Sequence, residues 1–196
     1  MKTLILTILS LVSGISLYAQ NFNKNLATAR TAYSAGKLED SRFAMQQMLQ
    51  ELDLMAGKEV LKILPEKMET LSVNTANDNV SGAAGFAGAV IHRDYGSADK
   101  TVSIEIISNS PLISSINAIL AIPFIGRGGN GNQKIIKIEG YKALVQKNDT
   151  DSKLSYDVQV PMGSTLLTLK AEGFNEDAVV KFASALPMSD IAKKLQ

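Results

Sequence analysis

Residues 126–134 read GRGGNGNQK, and Gly126, Gly128 and Gly131 fall on the G-x-G-x-x-G spacing that can cradle a dinucleotide's pyrophosphate. That chemistry needs a strand before the glycines and a helix after them, so that the phosphates meet the free N–H groups of a helix N-terminus. Here the preceding segment, SPLISSINAILAIPF, has helical spacing and stops at Pro123. The following segment, NQKIIKIEG, carries the β-branched Ile135, Ile136 and Ile138 of a strand. The order is wrong for a dinucleotide fingerprint, and no Gly-Lys-Ser/Thr follows to make a P-loop. The stretch reads as a long connection, and no cofactor is expected. Arg127 is the only charge in its glycine-rich part, which makes it a candidate for anion contact.

The chain has one histidine, His92 in IHRDYG, and no cysteine. A multi-histidine metal site, a thiolate zinc site, an iron–sulfur cluster and a cysteine nucleophile are therefore all excluded. His92 with Asp94 could form a lone general base, but without a partner nucleophile it reads as a strand-end residue near a turn at Gly96. Met45, Met48, Met55 and Met68 could serve as soft thioether ligands for Cu(I). Their helical spacing fits an adaptable core or contact surface better, so no metal is expected. Glu39-Asp40, Glu51 with Asp53, and Glu176-Asp177 fall at helix starts or solvated faces. Asp149 and Asp151 in NDTDSK lack the glycine and distal glutamate of a calcium loop. The expected set of catalytic residues is empty.

One further run stands apart. In NVSGAAGFAGAVIHRDYG, Gly82, Gly85 and Gly88 recur around Phe86 with only alanines between them. Too few large side chains are present to bury a helix face, and glycine disfavours one entropically. The run reads as a loose connection between strands, with Phe86 as the apolar tip of a flap. Phe86, His92 and Arg127 are the candidate binding residues, on loops expected beside a sheet.

The elements that would hold these residues follow from periodicity. Residues 21–64 are helical, with Leu26, Ala29 and Tyr33 and then Met45, Met48, Leu49, Leu52 and Met55 at helical spacing. Gly36 sits where a helix C′ residue belongs, so one helix ends near Ala35 and the next starts near Leu38. Gly57 is expected to break the second helix and Pro65 to stop what remains. VSIEIIS alternates with Val102, Ile104 and Ile106 on one face. KIIKIEG, YKALVQK, LSYDVQVP and TLLTLKAEG read as further strands with hairpin-type connections. Ser110 is expected to cap a helix with Leu112, Ile116, Ile119 and Leu120 on its apolar face. Asn175 caps the C-terminal helix, whose Val179, Phe182, Ala183 and Leu186 face inward, and Ser189 recaps a last short turn. The class is α+β: an N-terminal helical hairpin (20–64), then an antiparallel sheet covered by helices (65–196), ending in a C-terminal helix.

The first residues, MKTLILTILSLVSGISLYAQ, have the form of a signal peptide. Lys2 gives the charged start, Leu4 to Val12 the apolar run, and Leu17-Tyr18-Ala19 a cleavage site. Cleavage near Ala19 removes one positive charge, so the formal +1 of the chain becomes zero for residues 20–196. A neutral chain has no electrostatic footprint for nucleic acid. No later stretch is long enough for a membrane span, and no cysteine stands at the cleavage site to take a lipid. The protein is expected to be periplasmic or secreted and not a lipoprotein.

The run ARTAYSAGKLEDSRFAMQQML resembles a tetratricopeptide-type hairpin, present in one copy only. The YAQ leader end resembles those of exported Bacteroidetes proteins. The order ILP, HRDYG, VSIEIISNSPLISSI, a glycine loop, KIEGYKALV and FNEDAVVKFASALPMSDIAKKL is similar to a group of uncharacterised exported bacterial proteins. More distantly, the pattern over about 60–195 is similar to the Mog1/PsbP-like fold. These resemblances imply a fold and a compartment, and carry no site residues. The function expected is that of a non-catalytic binding or accessory module whose partner is an envelope protein or a small ligand. The alternatives are an envelope hydrolase with a site of dispersed carboxylates, and a structural or stress-related envelope protein.

Overall fold

The structure, a computed structural model, describes residues 21–82, 88–122, 132–150 and 153–196. The leader, Phe86, Arg127 and the glycines of 126–131 lie outside the described residues. The chain divides into two compact units between Asp53 and Leu54.

The first unit is the expected hairpin. Helix α1 covers 21–34 and α2 covers Leu38–Ile63, which runs on through the division between the units. Gly36, at φ +72°, turns the chain between them. The N–H of Lys37 reaches back to the Ala32 carbonyl at 2.9 Å and that of Gly36 to Tyr33 at 3.0 Å, satisfying carbonyls that the end of α1 would leave open. The two helices touch through small residues. Ala29, Ala32, Ser41 and Ala44 are the buried ones, and the Ser41 hydroxyl donates to the Ala29 carbonyl at 3.0 Å.

The second unit is an eight-stranded antiparallel sheet with helices on it, confirming the α+β class. The strands are β1 (Lys67–Met68), β2 (Leu71–Gly82), β3 (Ala89–Ser97), β4 (Lys100–Ile107), β5 (Gln133–Ile138), β6 (Tyr141–Thr150), β7 (Lys153–Met162) and β8 (Thr165–Glu172). Their order across the sheet is β1-β2-β3-β4-β8-β7-β6-β5. Two four-stranded meanders thus join at the β4–β8 pair, and the connection from β4 to β5 carries helix α3 (Ile113–Leu120). Alternation along the central strands decides the layers. One face presents Ile91, Tyr95, Val102, Ile104, Ile106, Val158, Val160, Leu167 and Leu169. These form a core with Val60 and Leu64 and with helices α4 (Glu176–Ser184) and α5 (Met188–Lys194). On the opposite face Ile116 and Leu120 of α3 cover Leu144 and Leu166 in a smaller cluster.

Several expectations are corrected. Gly57 does not break α2. An added Cβ there would lie 2.7 Å from Val80 Cγ1 and 3.1 Å from Ile91 Cγ1, so the glycine serves close approach of helix to sheet. In the run from Asn79 to Gly96, the described residues other than Gly88 are strand and not a loose connection. Residues up to Gly82 belong to β2, and Ala89–Ser97 form β3, paired on both sides. His92 accordingly sits mid-strand and not at a strand end. Ser110 does not cap a helix beginning at Pro111: its Oγ accepts from Leu112 N at 3.3 Å and α3 begins at Ile113. Ser189 lies inside α5, whose N-cap is Pro187. Asn175 caps α4 as expected, accepting from Ala178 N at 3.0 Å, and Val179, Phe182, Ala183 and Leu186 are buried.

Candidate functional site

Three features bear on function: a polar ladder on the sheet, a buried ion pair beneath it, and the outer surface of the hairpin. The ladder follows from strand geometry. Residues two apart on a strand share a face, and cross-strand partners share it too. Asp94 pairs with Ser103, Ser103 with Lys170, Lys170 with Asp157 and Asp157 with Gln146. One position along, His92 pairs with Glu105, Glu105 with Thr168 and Thr168 with Gln159. These two rows make a polar strip across the sheet, as expected of an antiparallel sheet solvated on one side.

His92 and Asp94 do meet there, with Nε2 to Oδ1 at 3.1 Å. Asn77 Nδ2 donates to the other carboxylate oxygen at 2.8 Å. Burial pushes the Asp94 pKa up, but hydrogen bonds from Asn77, Ser103 and His92 outweigh it and hold the carboxylate below its ordinary value. The order is hydroxyl, carboxylate, imidazole. In a nucleophilic triad the imidazole stands between the other two, so Ser103 is not activated by His92 in this arrangement. Among the described residues no three side chains of His, Cys, Asp or Glu are grouped to hold a metal ion. Met68 is buried in the sheet core, 1% exposed, and is not available to join the exposed Met45 and Met55 in a thioether site.

The ion pair lies on the core face of the same strand. Between the Asn74–Asp94 and Asn79–His92 pairs, β2 carries extra residues, and this irregularity brings Asp78 to Arg93. Arg93 Nε and one terminal nitrogen donate to the two Asp78 oxygens at 2.9 and 2.6 Å, while the other donates to the Leu64 carbonyl at 3.2 Å. Its charge thus satisfies a carbonyl just past the end of α2. Asp78 holds the guanidinium above its ordinary pKa against the opposing effect of burial. Beside it the Tyr95 hydroxyl donates to the Pro65 carbonyl at 2.7 Å, and burial pushes that phenol up. Three Arg93 donors and the Tyr95 hydroxyl are thus spent within the fold, securing the strand against the helix end.

The hairpin is the anomaly. Tyr33 is 69% exposed, Leu38 and Phe43 63%, Leu49 53%, Met45 49% and Leu52 48%. All are large and apolar, whereas the buried contact between α1 and α2 is made of alanines and a serine. Leu38, Met45, Leu49 and Leu52 recur at helical spacing and so form one stripe along α2. Elsewhere on the hairpin an open groove of about 610 Å³ is lined by Ala27, Thr28, Thr31, Ala35 and Phe43, with Lys24, Lys37 and Asp40. Contiguous apolar surface of this kind marks contact sites. Sequence periodicity found Tyr33, Met45, Leu49 and Leu52 and left open whether they form an adaptable core or a contact surface. The signal that could have decided it is the pattern of small residues at 29, 32, 41 and 44, which already fills the inter-helix contact.

Of the candidate binding residues, His92 is half-buried within the polar ladder; Phe86 and Arg127 lie outside the described residues. Among the described residues no helix is long and apolar enough to cross a membrane. No family model, no curated protein and no solved structure matches this chain.

Proposed function

We propose that the protein is an exported, non-catalytic accessory module that acts by docking a protein partner on the apolar face of its N-terminal hairpin. The observation that carries this reading is the inversion of the hairpin: its large apolar side chains face outward and its small ones inward. A two-helix unit gains little from an alanine seam, since hydrophobic stabilisation scales with the apolar area removed from water. A partner that covers Leu38, Met45, Leu49 and Leu52 supplies the missing burial. The order of Ser103, Asp94 and His92 supports the non-catalytic part of the reading. Export rests on the leader, with Ala19 the last residue removed.

Two measurements test it. Intact-mass analysis of the protein recovered from the cell envelope should give a chain beginning at Gln20; a chain beginning at Met1 in the cytosol would refute export. A photo-crosslinking residue placed at Leu49 should join the protein to a discrete second chain, and one placed at Glu105 on the polar sheet face should not. Equal crosslinking from both positions would refute the docking face.

A further inference from the structure

We propose that the occupant of the hairpin's apolar face is a second copy of this chain, the two hairpins closing on each other as an antiparallel four-helix bundle. The proposal rests on the docking reading above and names its partner. The spacing comes first. Leu38, Met45 and Leu52 are separated by whole heptads and Leu49 follows Met45 by four, the repeat by which bundle helices interdigitate. On α1, Leu26 and Tyr33 are likewise seven apart. A hairpin with one open apolar face lacks one layer, and an identical hairpin offers that layer in an isologous contact.

Charge agrees with self-association. Residues 21–53 carry four Lys or Arg (Lys24, Arg30, Lys37, Arg42) and four Asp or Glu (Glu39, Asp40, Glu51, Asp53). Two copies therefore approach without net repulsion, and nothing in the hairpin's net charge selects an oppositely charged partner. Area agrees as well. With roughly 150–200 Å² for a large apolar side chain, the exposed fractions of Tyr33, Leu38, Met45, Leu49 and Leu52 together offer on the order of 500 Å². The polar residues flanking them bring each copy toward the roughly 800 Å² that a standard interface buries per partner.

The test is sedimentation velocity of the chain from Gln20 to Gln196 across a micromolar concentration range. The wild type should sediment as a dimer. Leu49→Glu with Met45→Glu should weaken association at least about 30-fold, the loss expected when a hot-spot side chain is removed. Glu105→Ala on the polar sheet face should leave the dimer intact. Should the charged double variant fail to fold, Met45→Gln with Leu49→Gln replaces it, with the same expectation. Peroxide oxidation separates the ways of failing, with buried Met68 as the internal standard. A monomer whose Met45 oxidises readily overturns the second copy; if Leu49 then crosslinks to a different protein, the docking reading survives. A monomer whose Met45 resists oxidation like Met68 has its face covered within the chain, and both readings fall.

Discussion

The sheet unit and the hairpin use apolar side chains in opposite ways. In the sheet unit Ile91, Ile104, Ile106, Leu167, Leu169 and Phe182 are each no more than 2% exposed. The opposite sheet face carries the half-buried His92, Asp94, Ser103 and Asp157 and the exposed Glu105 and Lys170. In the hairpin the small residues are inside and Tyr33, Leu38, Phe43, Leu49 and Leu52 are outside. The sheet unit buries its large apolar side chains, whereas the hairpin leaves its own exposed. A single mutation in either should therefore be felt in a different assay.

The largest effect is expected in the sheet core. Phe182 meets Phe174 edge to face at 4.9 Å between ring centroids, and Phe182→Ala should cost about 3–5 kcal/mol of unfolding free energy in urea. Next is Asp78→Ala, which leaves the Arg93 charge buried beside the Leu64 carbonyl and should cost about 3 kcal/mol by the same measurement. Then comes Gly57→Ala: the new methyl meets Val80 Cγ1 at 2.7 Å, and overpacking of this kind should cost about 1–3 kcal/mol. A Gly57→Ala protein more stable than wild type would show that the glycine acts as a helix weakener and not as a contact.

A smaller effect is expected at Asp94. Its folded pKa lies below the ordinary 3.8, so its ionised form stabilises the fold above that value. The contribution disappears as pH falls from about 4 through the lower folded pKa. Urea unfolding of Asp94→Asn should accordingly show a shallower loss of stability over that acid range than wild type. A parallel pH profile for the two proteins would mean that Asn77, Ser103 and His92 do not favour the charged form.

How much of this was legible in the sequence depended on which contacts were local. The alternation of Val102, Ile104 and Ile106, the cap at Asn175 and the turn at Gly36 are short-range features, and each stands where periodicity and capping chemistry put it. Strand β2 was missed because NTANDN is mostly Asn and Asp, which strands disfavour, with Thr75 its one β-branched residue; it is a strand through pairing with β3, which is a long-range fact. The Asp78–Arg93 pair depends on an irregularity in that same pairing, and no spacing in the sequence announces it. The role of the hairpin stayed open for a different reason. Periodicity at Leu38, Met45, Leu49 and Leu52 establishes that a helix has an apolar stripe, but not what covers it. The His92–Asp94 contact, two apart on one strand, was recoverable in principle once Ala89–Ser97 was assigned as a strand.

The central claim is that the hairpin's outer apolar residues serve association and not folding. The most direct test is urea unfolding of Met45→Gln with Leu49→Gln beside wild type, at a concentration low enough for both to be monomeric. The unfolding free energies of the two proteins should agree to within about 0.5 kcal/mol, as for exposed positions. A loss of about 2 kcal/mol or more, the scale of a core truncation, would contradict it and place those side chains in the interior of the folded chain.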